Sequence, residues 1–285
     1  MAKANPWLER RVLAYAHRGG ARDGPSNTLA AMRLALAAGA TALETDVHAT
    51  SDGHLVLCHD PTVDRTTNGS GAIASMTLAQ CKSLDAAYWF VPGEEVSPGH
   101  APADYPFRGR APADSAYTIP TLAEVLVTFP GIPLNLDIKQ SAPAVAPYEA
   151  ALAKALADHE RVDDVIVASF NPDSLRAFSA VAPRVATAAA ARAIARIWLA
   201  GRAHIRPLPT RHSAIQVPLV LRGLTVVDAR LVRAAHRAGV AVHVWTIDEA
   251  AEMKRLVDLG VDGIMTDRPS VLARVLGEAG VTWAG

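Results

Sequence analysis

Leu13–Asp60 reads LAYAHRGGARDGPSNTLAAMRLALAAGATALETDVHATSDGHLVLCHD, and the order of its patterns decides the fold. Val12, Leu13, Tyr15 and Ala16 form a short apolar run that stops at His17, Arg18 and Gly19. That is how a buried strand running out into a polar loop reads. Asn27 then precedes Leu29, Met32 and Leu36, with Gly39 behind them. The order is that of an N-cap, an amphipathic helix and a closing glycine. Ala42–Val47 gives the next strand. Ser51, Asp52 and Gly53 turn the chain, Leu55–Leu57 return as a short strand, and His59-Asp60 follows at once. A polar cluster thus stands at the end of each strand.

Residues two apart on a strand share a face. Glu44, Asp46 and His48 therefore look one way, while Leu43, Thr45 and Val47 look the other. On their own, Glu44 and Asp46 read equally well as solvated strand residues. In a buried setting they repel, and burying either one alone is costly. A divalent cation removes both problems, and oxygen-only ligands favour a hard ion such as Mg²⁺ or Ca²⁺.

Outward from this stretch the alternation continues. Thr77–Leu84 reads as a short helix. Residues from about 85 to 118 are rich in Pro and Gly and carry Tyr88, Trp89, Phe90, Tyr105, Phe107 and Tyr117. Long loops in compact domains are functional or disordered, and the aromatics predict an ordered insertion packed over one end of the fold. Thr121 caps the next helix and Pro133–Ile138 is a strand. Asn135, Asp137 and Lys139 share one of its faces. Further strands are expected at Asp164–Phe170, Arg184–Ala188, Ala214–Pro218, Val240–Thr246 and Gly263–Thr266. Helices are expected at Ala144–Asp158, Pro172–Ala180, Asp228–Ala238, Asp248–Leu259 and from Pro269 onward. Strands separated by helices imply a parallel sheet. About eight of them predict a closed (β/α)₈ TIM barrel of the α/β class, as one domain over residues 1–285.

Composition narrows the function classes. The chain has 285 residues, is 50% hydrophobic and carries zero formal net charge, with a pI of about 7.2. Nothing here makes a nucleic-acid-binding surface, so any affinity for phosphate has to come from local charge. Two cysteines, Cys58 and Cys81, are too few for a disulfide scaffold and lack zinc spacing. Cys58 reads as a small buried strand residue. The opening MAKANPWLERRVLAYA has no apolar leader core. The Ala-rich Val185–Leu199, with Arg192 and Arg196, reads as an amphipathic helix rather than a membrane span. These features predict a cytoplasmic protein with no stable membrane insertion. They leave its oligomeric state open.

His17-Arg18-Gly19, Asn27-Thr28, Glu44-x-Asp46, Thr50-x-Asp52-Gly53 and His59-Asp60 resemble the signature of the glycerophosphodiester phosphodiesterase family. Asp137-Ile138-Lys139, Ser169-Phe170, Trp245-Thr246 and Gly263-Ile264-Met265-Thr266-Asp267 resemble later positions of the same family. The resemblance implies a barrel with an insertion after the second strand, one bound divalent ion and two catalytic histidines, His17 and His59. It implies metal ligation by Glu44, Asp46 and Asp137, the last standing where the family usually has Glu. Arg18 and Lys139 would bind phosphate, and Trp245 would wall the pocket against an alcohol's carbons. The reaction implied is hydrolysis of a small-molecule glycerophosphodiester to glycerol 3-phosphate and an alcohol, through a cyclic phosphate formed by the glycerol 2-hydroxyl.

One departure and two rival readings stay open at the level of sequence. Ser26 stands where the family commonly has Glu, and a related phosphodiesterase for lysophospholipid or sphingolipid head groups, or a barrel that only binds phosphoesters, would share much of this pattern. His48 is expected to support the site by hydrogen bonding and His243 to pack in the core. His54, His100, His159, His204, His212 and His236 are expected at the surface.

Overall fold

Apolar strand segments and Ala/Leu-rich helical segments alternate from end to end, and each becomes an element. The structure, a computed structural model, describes residues 5–9, 12–140 and 144–281. The domain limits drawn at 1 and 285, and residues 1–4 and 10–11 of the N-terminal stretch, lie outside the described residues.

α1 (Pro6–Glu9) leads into β1 (Leu13–His17), α2 (Leu29–Ala37) and β2 (Ala42–Ala49). The short β3 (Leu55–Leu57) folds back antiparallel on β2, and α3 (Leu78–Lys82) precedes the insertion. α4 (Leu122–Thr128) and β4 (Leu134–Ile138) restart the alternation. It continues through α5 (Glu149–Asp158), β5 (Val165–Ala168), α6 (Pro172–Val181), β6 (Ala186–Thr187), α7 (Ala191–Arg202) and β7 (Ala214–Val217). A hairpin of β8 (Val220–Leu221) and β9 (Leu224–Thr225) follows β7. α8 (Ala229–Arg237), β10 (Ala241–Val244), α9 (Ala250–Leu259), β11 (Gly263–Thr266) and α10 (Pro269–Glu278) complete the chain.

Eight parallel strands form the ring β6-β5-β4-β2-β1-β11-β10-β7. Its last side is shut by the single parallel bridge Ala188–Ala214, with Ala189 N–H donating to Ala214 O at 2.8 Å. This is the (β/α)₈ barrel the sequence predicts. Period-two alternation sorts the side chains. Ala16, Leu43, Val47 and Leu136 face outward onto one half of the helices, and Ala14, Ile215, Val242 and Ile264 onto the other half. Leu13, Tyr15, Ala42, Ile166 and Ala214 fill the interior, where Trp7 of α1 plugs the end at which the strands begin. Gly263 is required in this layer, because a Cβ there would stand 2.8 Å from the His243 ring. His243 is fully buried, and burial pushes its pKa down to about 4, so it packs as a neutral core residue.

Several boundaries move for local reasons. Thr28, not Asn27, caps α2, its hydroxyl accepting from Ala31 N–H at 3.1 Å. α5 starts at Glu149 rather than Ala144, since Pro147 disfavours helix at the residue before it. β5 stops at Ala168 because Ser169 Oγ turns to donate to Ile138 O and to accept from Asn171 N–H. The amphipathic helix expected from Val185 begins at Ala191, its first residues having joined the sheet as β6. Of the six histidines expected at the surface, His54, His100 and His204 are exposed, but His159, His212 and His236 are half-buried, His236 paired with Asp262 at 2.7 Å. Among the described residues no helix is long and apolar enough to cross a membrane.

In the insertion, the Arg108 guanidinium stands 4.2, 4.8 and 3.5 Å from the ring centres of Tyr88, Trp89 and Tyr105. Phe90 stacks on Phe107, which leans on Tyr117. The aromatics hold the segment together through stacking and cation–π contacts.

Candidate active site

Barrel register brings the candidate residues to the end at which the strands finish, where catalytic groups of this architecture sit. His17 is the last residue of β1 and pairs in register with Glu44 of β2; Asp46 pairs with Asp137 of β4. β4 lies between β2 and β5, so Asp137 is on an interior strand of the ring. His17, Arg18, Glu44, His59, Asp137, Lys139 and Trp245 all line one cavity of about 640 Å³, and Asp46 lies buried beside it.

Each histidine is oriented by a carboxylate. His17 Nδ1 is 2.6 Å from Asp267 Oδ1, just past β11, and His17 Nε2 is 3.9 Å from Glu44. His59 Nδ1 is 2.6 Å from Asp60 Oδ1. Burial pulls the His17 pKa down, but Glu44 and Asp267 together outweigh it and leave it raised. Burial dominates at His59 and lowers its pKa. Two histidines displaced in opposite directions suit opposite roles in proton transfer.

The three carboxylates are buried. Burial first, and then Asp46, push the Glu44 carboxyl up to about 7. Asp46 is equally buried, yet Lys139, Arg18 and His59 hold it below the usual range. Asp137 is raised by burial, against the pull of Lys139. Lys139 Nζ lies 2.9 Å from both Asp46 Oδ1 and Asp137 Oδ2. This ammonium stands between two carboxylates expected to share an ion, and among the described residues no three His, Cys, Asp or Glu side chains converge tightly enough to hold one as they stand. The donors fit a cation nonetheless. All are carboxylate oxygens, Asp137 Oδ1 is buried with no hydrogen-bond donor, and Glu44 is a buried acid held up at about 7 by burial and by Asp46, a site that a positive charge would relieve.

Local backbone makes this possible. Arg18, Gly19 and Gly20 all have positive φ, 53°, 80° and 87°, so the chain leaves β1 in a tight left-handed turn. The turn points Arg18 N–H at Glu44 Oε2, 3.0 Å away. Asn27 also has positive φ; its amide donates to Asp46 Oδ2 at 3.0 Å and its carbonyl accepts from Thr45 at 2.6 Å. Asn27 therefore fixes a carboxylate rather than capping the helix. His48 is fully buried, with Gln140 at 3.1 Å and His59 O at 3.4 Å, the supporting position expected.

Further contributors carry no assigned role in the sequence reading, although Asn135 and Phe170 stand in its patterns. Glu95, inside the insertion, accepts from Arg18 at 2.7 Å and from Arg65 at 3.1 Å, and Arg65 also holds Asp60. A chain of charges thus links Arg18 to His59. Phe170 stands edge-on to Trp245, centroids 6.0 Å apart. Asn135 and Gln216 join across the cavity floor at 2.6 Å. None of the insertion's six aromatics lines the cavity.

Known proteins are similar along nearly the full length. The glycerophosphoryl diester phosphodiesterase family matches residues 17–271. A glycerophosphodiester phosphodiesterase of Caldanaerobacter subterraneus subsp. tengcongensis is 34% identical over 273 residues, covering 95% of this chain and 100% of that one. The fold matches the glycerophosphoryl diester phosphodiesterase domain of a Mycobacterium tuberculosis protein, with a TM-score of 0.77, 24% identity, and 94% and 99% of the two chains covered. It also matches an Oleispira antarctica phosphodiesterase solved with the product sn-glycerol 3-phosphate, with a TM-score of 0.70, 24% identity, and 95% and 99% covered.

Proposed function

The chain belongs to the glycerophosphoryl diester phosphodiesterase family, and from that premise we propose that it hydrolyses glycerophosphodiesters to sn-glycerol 3-phosphate and an alcohol with one divalent ion, Mg²⁺ or Ca²⁺. Glu44, Asp46 and Asp137 would hold the ion. When bound, it supplies Lewis-acid stabilisation of charge on the phosphoryl oxygens. Lys139 would offer its ammonium to the phosphodiester, and Arg18 adds a second cation held in place by Glu95. One of His17 and His59 takes the proton of the attacking substrate 2-hydroxyl; the other protonates the departing alkoxide. The five-membered cyclic phosphate then opens with water, the two histidines exchanging roles.

The observation that carries this reading is the pairing of each histidine with its own carboxylate at 2.6 Å on either side of three buried acids and two cations. A chelated sample, verified by elemental analysis, should lose turnover of glycerophosphoethanolamine and regain it with Mg²⁺, Ca²⁺ or Mn²⁺. Full turnover in the verified metal-free sample refutes the role given to the three carboxylates.

A further inference from the structure

The cavity is divided by chemistry. Its six ionisable lining residues, His17, Arg18, Glu44, His59, Asp137 and Lys139, come from the side of β1, β2 and β4. Across the ring, beyond β6, β7 and β10, the same cavity runs on between α7 and the β8–β9 hairpin, and no lining residue there is charged. Ile194, Trp198 and Leu199 form one wall and Leu221 and Leu224 the other. The walls are tied together: Trp198 Nε1 and Arg202 Nη2 both donate to Thr225 O, at 3.4 and 3.1 Å. Phe170, Leu199, Leu221 and Leu224 are 78, 59, 56 and 62% exposed, an unusually apolar rim for a site that binds a charged ester.

From this division we infer that the enzyme's preferred substrates are single-chain lysoglycerophospholipids, whose phosphodiester meets the charged half while the acyl chain lies in the α7–hairpin groove. The inference rests on the hydrolytic reading above. Small polar head groups find no charged partner in the groove, whereas a hydrocarbon chain loses water against it on both sides. The occupant is joined to the reacting ester because groove and catalytic groups share one cavity. It carries one chain, because the glycerol 2-hydroxyl has to be free to attack. In the reaction that oxygen bonds to phosphorus as the phosphorus–oxygen bond to the head group breaks. One histidine receives the hydroxyl proton and the other gives a proton to the head-group alkoxide. Water then opens the ring, its hydroxide bonding to phosphorus and its proton going to the C2 oxygen. One water is consumed and a monoacylglycerol phosphate and a free alcohol are released, with no change of oxidation state.

The test compares glycerophosphoethanolamine with its 1-hexanoyl, 1-octanoyl and 1-decanoyl esters, below their micellar concentrations, with phosphorus NMR identifying products. KM should fall about two- to fourfold per added methylene while kcat stays nearly level. A diacyl analogue should not react. In a Leu221→Asp/Leu224→Asp variant, the ratio of kcat/KM for decanoyl over unacylated substrate should collapse toward one. Turnover of glycerophosphoethanolamine with no gain from acylation overturns the inference and leaves the hydrolytic reading standing. Chain-length dependence that survives in the double variant overturns it too. If nothing turns over, the hydrolytic reading fails. Chain-length-dependent change in Trp198 and Trp245 fluorescence then decides the groove by itself, its presence supporting an acyl site and its absence excluding one.

Discussion

Replacing Lys139 by methionine keeps the length of the side chain and removes its ammonium. Asp46 is 1% and Asp137 6% exposed, so the variant leaves two buried acids on adjacent strands without the cation that stood 2.9 Å from each. Leaving a buried charge unpaired costs about 3–5 kcal/mol. The lower end applies, because the Lys139 side chain is 18% exposed and water reaches it. At about 2 °C per kcal/mol for a chain of this size, the metal-free midpoint of thermal unfolding should drop by roughly 6 °C near pH 8. The sign of the pH dependence follows from Asp137, whose carboxyl burial already holds above its usual range. A carboxyl with a raised folded-state pKa penalises the fold where it is ionised. The penalty grows as pH climbs from the unfolded-state pKa and is full above the folded-state value. The deficit should therefore shrink on going from about pH 8 to about pH 5. Saturating Mg²⁺, at roughly 100 times its Kd, should return about 2.7 kcal/mol. Differential scanning calorimetry of both proteins, chelated and Mg²⁺-loaded, reads all three effects. An unchanged midpoint near pH 8, or a deficit that is flat with pH, refutes the electrostatic account of this pair.

His17→Ala and His59→Ala should each lower kcat by roughly 10²–10⁴-fold with the midpoint little changed, since both lie at strand ends; near-normal turnover in either removes that histidine from the mechanism. Because the Glu44 carboxyl is pushed up to about 7, protons compete with the ion there; the apparent Mg²⁺ affinity in calorimetric titration should climb through neutrality and level off above it, and an affinity flat over that range contradicts the assignment. Glu95→Gln takes away the carboxylate shared by Arg18 and Arg65 and should cost about fivefold in kcat/KM, with Glu95→Asp partly restoring it. Equal kinetics for all three forms would mean that the insertion does not position Arg18.

What could be read from sequence follows the range of the forces involved. Strand periodicity puts Glu44 and Asp46 on one face, and the family resemblance singles out His17 at the end of the preceding strand. Period and turn chemistry act over a few residues, and so also give the barrel. Asn27 was misread as a cap because its side chain bonds Asp46, a contact that only exists once β2 lies beside the loop. Glu95 had no periodicity to mark it, and its role depends on the insertion folding back over Arg18. Lys139 was seen near phosphate, but its bridge between Asp46 and Asp137 depends on the pairing of β2 with β4. The hairpin that walls the groove had a signal: Arg222-Gly223 between Val220-Leu221 and Leu224-Thr225, with φ of 50° and 83°, is a two-residue primed turn.

Cleavage on the head-group side of phosphorus can be read directly from the products. A phosphorus-NMR time course of the Mg²⁺-loaded protein with glycerophosphoethanolamine tests it most directly. A cyclic five-membered phosphate should appear first and decay to sn-glycerol 3-phosphate, with free ethanolamine in equal amount. Release of phosphoethanolamine and glycerol, or no reaction in protein shown to be folded and loaded, would contradict it.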